Sequence, residues 1–331
     1  MKTLYFDTFS GISGDMIVAA FINAGMELDI LKNELLKLPI KEFDIQASTV
    51  KRNSISATKF DVIIPHHEHV HRNLANVYEI IDSSDLSNKV KNDSKKIFYN
   101  IAVAEAKVHN VDVEKVRFHE VGAIDSIIDV IGAVICIDYF KIEKVTSSPL
   151  RVGSNILIKT QHGEIPVPAP ATAEILKNYP VKIIDLPYEL TTPTAAAIVT
   201  TLSKGTLFSN MVIEKIGYGT GSIEIPNLPN LLRIFTGETC DQQYQEEVLV
   251  IEANINDMDT QNYQNIIEKV LSLGATDAFI TKVIMKKEKT GMLLTIITPN
   301  EKIYSIIEYL HINITTSELI IHSAQRKIIR R

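Results

Sequence analysis

Only two cysteines occur in the 331 residues, Cys136 and Cys240. They stand far apart, so neither a disulfide framework nor a thiolate metal site can be assembled from them. Cys136 sits in an apolar run and reads as a small buried hydrophobe. A reducing, cytoplasmic setting is expected. Basic residues are not in excess either: 34 Lys and Arg face 40 Asp and Glu, a formal net charge of −6. That balance argues against a general binder of nucleic acid or anionic membranes. No run reaches 18 apolar residues, so no membrane span is expected. The opening, MKTLYFDTFSG, lacks the basic segment, apolar core and small-residue cleavage site of a secretory signal. What is present is a 45% hydrophobic composition, ordinary for a chain that buries a real core. The length suggests two or three domains.

Periodicity organises the chain. Thr3 to Asp7 reads as a short buried strand, and the turn Ser10-Gly11-Ile12-Ser13-Gly14-Asp15 leads into an apolar helix, Met16 to Ala24, stopped by Gly25. Residues 42–52 and 55–64 alternate around Arg52-Asn53-Ser54, a hairpin pattern. Helices are expected at 74–82, 87–109 and 122–140, and a strand over 143–152. Pro166, Pro168 and Pro170 exclude helix or central strand there, and a helix can start near Ala171. Thr191-Thr192-Pro193-Thr194 looks like a cap before an Ala-rich helix. Strands at 211–218 and 230–236 precede a polar linker over 237–246. The remainder alternates as strand 248–253, helix 260–273, strands 278–286 and 292–298, helix 301–311 and strand 319–323. This is the β-α-β-β-α-β order of the ferredoxin-like fold. The expected fold class is therefore α/β (α+β), with a larger mixed N-terminal α/β domain over 1–240 and a ferredoxin-like domain over 247–331.

Five stretches carry chemistry. The Gly-rich turn through Ser13 and Gly14 opens a helix, where free N–H groups and the helix dipole can cradle a phosphate or carboxylate. Asp7 and Asp15 flank it and could hold a bridging cation; a plain tight turn is the simpler alternative. Pro65-His66-His67-Glu68-His69-Val70-His71-Arg72 holds four of the nine histidines. Imidazoles suit nickel, copper and zinc, and short His-rich tracts capture metal loosely. A solvated loop is the alternative. His119, Glu120, Asp125 and Asp129 place an imidazole and three carboxylates beside an apolar helix. Asp125 and Asp129, four apart, share one helical face. Carboxylates there need partners, a proton or a cation. His162 precedes a stiff Pro-rich segment suited to positioning a ligand. Asp257 and Asp259 end the first strand of the second domain and could hold magnesium or manganese with a triphosphate. Lys286 and Lys287 could face its phosphates. Helix capping is the alternative for the two aspartates.

Taken in order, DTFSGISGDM at 7–16, the His-rich run, HEVGAIDSIIDVIGA at 119–133, HGEIPVPAPATAEIL at 162–176, ELTTPTAAA at 189–197 and EANINDMDTQ at 252–261 resemble the LarC family, the nickel-insertion proteins of nickel-pincer cofactor biosynthesis. The resemblance spans nearly the whole chain. It implies a CTP-dependent enzyme, a lyase-type cyclometallase. Such an enzyme activates pyridinium-3,5-bisthiocarboxylic acid mononucleotide with CTP and Mn2+ or Mg2+ and inserts Ni2+ with formation of a nickel–carbon bond. CMP and pyrophosphate leave. On this reading His66, His67, His69 and His71 capture nickel, and Asp15, His119, Glu120 and Asp125 form a second metal or substrate pocket. Ser13, Gly14, Lys286 and Lys287 bind nucleotide groups, Asp257 acts in CTP turnover, and Asp259 holds its cation. A homo-oligomer and hand-over to a nickel-pincer-dependent enzyme are also implied; nucleic-acid and membrane partners are not. Four departures stand out, one being that Thr315-Thr316-Ser317-Glu318 lacks the glycine expected after the threonine pair. The His-rich run is shorter than in many relatives. Lys286-Lys287-Glu288-Lys289-Thr290-Gly291 replaces a family Lys-Lys-x-Arg-Pro-Gly. The chain stops at Arg331 where relatives continue, so a shortened second domain is expected. The rival readings are a non-catalytic nickel carrier and another metal-dependent nucleotide phosphohydrolase or nucleotidyltransferase.

Overall fold

The computed structural model describes all residues except 41–42, 66–71, 119–120, 161–162, 204, 206–209, 227, 240–244, 256–259, 286–289, 315, 317 and 328–331. The chain divides into two compact units, Met1–Asp241 and Gln242–Arg331. In chain order the first unit contains β1 (Lys2–Asp7), α1 (Gly14–Asn23), α2 (Leu28–Leu35), β2 (Asp44–Arg52), β3 (Ile55–Ile63), β4 (Arg72–Asn73), α3 (Leu74–Asp82), α4 (Asn88–His109), β5 (Arg117–Phe118) and α5 (Ile124–Tyr139). It continues with β6 (Lys144–Ser147), β7 (Leu150–Val152), β8 (Leu157–Thr160), β9 (Gly163–Pro166), α6 (Pro170–Ile175), β10 (Val181–Ile183), α7 (Pro193–Leu202), β11 (Met211–Thr220) and β12 (Leu231–Thr239). The second unit contains β13 (Gln245–Ile255), α8 (Thr260–Ser272), β14 (Asp277–Ile284), β15 (Thr290–Thr298), α9 (Ile303–Asn313) and β16 (Leu319–Lys327).

The main sheet of the first unit runs β2-β3-β11-β12-β1-β6. It is mixed: β3 and β11 are parallel, as are β1 and β6, while the other neighbours are antiparallel. The β2–β3 hairpin turns on Asn53 and Ser54, both at positive φ, the mirror-image turn that matches strand twist. Leu4 and Phe6 of β1 point to the core with Phe21 and Phe60, all essentially inaccessible. Helix α1 lies against β11, β3, β12 and α5. Its close approach is set by glycine. A Cβ on Gly217 or Gly219 of β11 would stand 2.0 Å from the carbonyl oxygen of Ala20 or Met16, well inside any tolerable contact. The period-two glycines Gly217 and Gly219 thus let helix backbone rest on strand backbone.

The expected strand over 143–152 is two strands. Pro149, which has no N–H to offer, separates β6 from β7. β6 joins the main sheet, while β7 pairs with β10 in a separate two-stranded ladder. The expected linker also begins too early, because β12 continues through Thr239, held by β1 and β11. The expected helices arise near their predicted positions, and α2 is a helix that the sequence pattern did not announce. Asn73 and Asn76 form a reciprocal capping box on α3, with N···O distances of 2.9 and 3.2 Å. Asn73→Ala should cost about 1 kcal/mol, read as a lowered melting temperature; an unchanged melt would mean the cap is not holding α3.

The sheet of the second unit runs β14-β15-β13-β16 with every pair antiparallel. Its core is formed by Ile251, Ile255, Val270, Leu294, Ile296, Ile306 and Leu310. Together with the β-α-β-β-α-β chain order this is the split βαβ arrangement. Among the described residues no helix is long and apolar enough to cross a membrane.

Candidate functional site

Beyond β1, Gly11 adopts φ +116°, a conformation open to glycine but not to ordinary side chains. A Cβ there would also meet the Leu190 carbonyl oxygen at 2.1 Å. The turn is laced to the segment before α7: Ile12 N–H donates to Leu190 O (2.7 Å) and Thr192 N–H to Ile12 O (3.2 Å). Two of the motif stretches, at 7–16 and 189–197, are therefore neighbouring strands of chain. Thr192 then caps α7 by accepting from Ala195 N–H.

Helix α1 starts at Gly14, and its N-terminus already has a carboxyl group beside it. The Asp129 carboxylate, from α5, accepts the Asp15 backbone N–H. A Cβ on Gly14 would fall 2.8 and 2.9 Å from Asp129 Cβ and Oδ2. Only glycine leaves room for this approach. A carboxyl group supplied by the chain itself therefore stands against this turn. Asp15 is bonded by the Ser13 hydroxyl.

Both acids are raised from the ordinary aspartate value, Asp129 well above it. Burial is the main cause of the rise at Asp129, followed by the nearby charges of Asp15 and Asp125. Burial also raises Asp15, with a smaller push from Asp61. Hydrogen bonds from Ser13 and from backbone N–H groups oppose that rise. Asp125 is exposed and accepts the Ser126 N–H at 2.7 Å. The structure thus brings Asp15, Asp125 and Asp129 to one place, at the starts of α1 and α5. Asp129 carries as much of this grouping as the other two, and its spacing of four from Asp125 is the sequence signal for it. Asp7 goes elsewhere: it pairs with Arg233, whose Nε lies 2.9 Å from Oδ2. That guanidinium stands over the rings of Phe235 (4.8 Å) and Phe9 (5.6 Å), and it is the counter-charge of Asp7.

The histidines His66, His67, His69, His71 and His119, with Glu120 and His162, lie outside the described residues. Their flanks do not. Arg72, just after the His-rich run, pairs with Phe118, just before His119. Arg72 Nη1 also donates to Gly122 O at 2.8 Å. The run follows β3, whose Asp61 is near enough to Asp15 to raise it, so the elements on either side of the run adjoin those that bear the acids. In the second unit Asp257, Asp259, Lys286 and Lys287 are likewise outside the described residues. Ile255 pairs with Met292, and Ile284 with Thr290. The segments 256–259 and 286–289 therefore leave the same end of the sheet. Among the described residues no group of three His, Cys, Asp or Glu side chains is spaced to hold a metal ion.

A family model described as nickel insertion protein matches residues 4–331. A putative nickel insertion protein of Dictyoglomus thermophilum is 46% identical over 300 residues, covering 90% of this chain and 77% of that protein. The pyridinium-3,5-bisthiocarboxylic acid mononucleotide nickel insertion protein of Acetivibrio thermocellus is 41% identical over 343 residues, covering all of this chain and 84% of its own length. A solved structure, LarC2, the C-terminal domain of a cyclometallase involved in the synthesis of the NPN cofactor of lactate racemase, in its apo form, is 28% identical. It covers 26% of this chain and 60% of its own, with a TM-score of 0.25. Matched almost from end to end, with relatives above 40% identity over most of their own length, the chain belongs to the nickel insertion protein family.

Proposed function

We propose that this protein inserts Ni2+ into pyridinium-3,5-bisthiocarboxylic acid mononucleotide to form the nickel-pincer cofactor. The observation that carries the reading is the match of the whole chain to proteins named for that step. The gathering of Asp15, Asp125 and Asp129 beside the ends of the His-rich run supports it. Nickel is the cargo. His66, His67, His69 and His71 capture it, since neutral imidazoles suit nickel. Asp15, Asp125, His119 and Glu120, with Asp129 beside them, receive metal or substrate. Ser13 and Gly14 shape the turn that holds Asp15 and Asp129, and a nucleotide group that used the same N–H would compete with Asp129.

The finer reading places CTP on the second unit. Asp257 and Asp259 hold Mn2+ or Mg2+ on its phosphates through hard oxygen donors, and Lys286 and Lys287 meet the phosphate charge. Support comes from the shared sheet end of their two segments. The protein acts as a CTP-using cyclometallase of the lyase type, works in the cytoplasm as a homo-oligomer and passes its product to a nickel-pincer-dependent enzyme. The first unit, 1–240, supplies nickel, and the second, 247–331, supplies CTP.

The test is a reconstitution with the purified chain, Ni2+, Mn2+, CTP and the mononucleotide. Product mass and pyrophosphate release are followed together. Nickel-loaded product with pyrophosphate release that needs the mononucleotide is the expected result. Product without CTP would remove the CTP assignment. Nickel bound but no product would leave a carrier. Nucleotide cleavage indifferent to the mononucleotide would point to a phosphohydrolase.

A further inference from the structure

Strand β7 carries a basic residue in an unusual setting. Leu150 and Val152 are buried to 3% exposure or less, and Arg151 between them is partly buried on the opposite side. The other partly buried arginines of the first unit, Arg52, Arg72 and Arg233, each donate to an oxygen. Arg151 has no side-chain acceptor among the described residues. Its direct neighbour across the β7–β10 ladder is a second cation, Lys182, also without a carboxylate among the described residues. Like charges placed opposite one another weaken a ladder, and a partly buried guanidinium normally finds an acceptor. Lys182 is exposed and Arg151 half-buried, so the pair faces solvent, where an anion between them would satisfy both charges.

The pair is also next to the site. The backbone of β7 turns its other edge to the segment before α7, where the Thr191 hydroxyl donates to Arg151 O at 2.6 Å. Thr191 in turn bridges to Ile12. The order across these strands is Lys182, Arg151, Thr191, Ile12. The Thr191 hydroxyl and the Thr191–Ile12 bridge thus place the Arg151 backbone on the order of 10 Å from the Ser10–Asp15 turn. That is within the length of a mononucleotide.

We propose that Arg151 and Lys182 form an anion subsite that takes the phosphate monoester of the mononucleotide, placing its ring toward the turn that bears Asp15. The guanidinium fork matches phosphate oxygens, and the lysine adds a point charge. The proposal rests on the nickel-insertion reading for the identity of the ligand, and its test is kept separate from that reading. Nicotinic acid mononucleotide and nicotinic acid riboside, which differ by the phosphate alone, are titrated calorimetrically into the wild-type chain and into Arg151→Gln/Lys182→Gln. The wild type is expected to favour the mononucleotide at least tenfold, and the double variant to bind both probes alike, at the wild-type riboside affinity. Arg151→Lys, which keeps charge but not the fork, falls between. A phosphate preference that survives in a folded double variant overturns the proposal, as does equal or absent binding of both probes by the wild type. If the reconstitution above yields no nickel product, the functional reading fails. If it does, and the double variant keeps its KM for the mononucleotide, the subsite alone fails.

Discussion

Gly219→Ala is expected to cost about 3 kcal/mol or more, a large part of the roughly 5–15 kcal/mol that holds a typical domain together. The added methyl group would stand 2.0 Å from Met16 O and 2.7 Å from Ala20 N. Neither atom is the end of a flexible side chain; both are backbone of α1. The helix cannot retreat freely, because α5 packs on it and Val18 already lies 3.3 Å from where a Cβ on Gly132 would be. Relief requires tilting α1 off the sheet, and Asp15 rides on its first turn. The variant should show both a lowered denaturation midpoint and loss of the carboxylate grouping. An unchanged midpoint would mean that α1 does not rest on β11 as described.

Asp129→Asn should act in the opposite sense on stability. A carboxyl held above its ordinary value binds its proton more tightly in the folded than in the unfolded chain. Between the two values the native state carries the extra proton, so stability falls as pH rises. The contribution is complete below the ordinary value of 3.8 and is lost as pH climbs through the raised value of the folded state. Asparagine keeps an acceptor for the Asp15 N–H and has no charge to desolvate. The variant should be more stable than wild type at neutral pH, by about 1–3 kcal/mol, and its stability should vary less between pH 4 and neutrality. Nickel insertion should fall at the same time, the pattern expected where charge is kept for function at the expense of stability. Melting curves across that pH range decide it: parallel pH profiles for variant and wild type would place the Asp129 charge outside the folding balance.

Local chemistry made most elements legible. The hairpin on Asn53-Ser54, the Pro193 helix start and the strand–helix alternation of the second unit all rest on neighbours in sequence, and those signals are strong. The proximity of Asp125 to Asp129 was legible because four residues is one helical turn. It was less legible at the Gly-rich turn. There the pattern announced an anion cradle, but only the crossing of α1 and α5, about 115 residues apart in sequence, reveals that Asp129 lies in it. The same holds for Asp7, whose partner Arg233 is 226 residues away, and for the Arg151–Lys182 pairing. The period-two glycines of β11 were a readable signal of close backbone approach, although nothing local says that α1 is what approaches.

The position of β1 has a further consequence. It precedes the other strands of the main sheet in the chain, yet it sits inside that sheet, between β6 and β12. One neighbour is some 140 residues later in the chain and the other about 230. On the ribosome, at about 5–20 residues per second, this strand waits on the order of ten seconds or more for the segment that completes its pairing. Until then Leu4 and Phe6 have no finished core to enter. The nascent first unit is therefore a long-lived client for whatever shields apolar segments during synthesis, and its yield in a cell should depend on that shielding more than the stability of the finished fold would suggest.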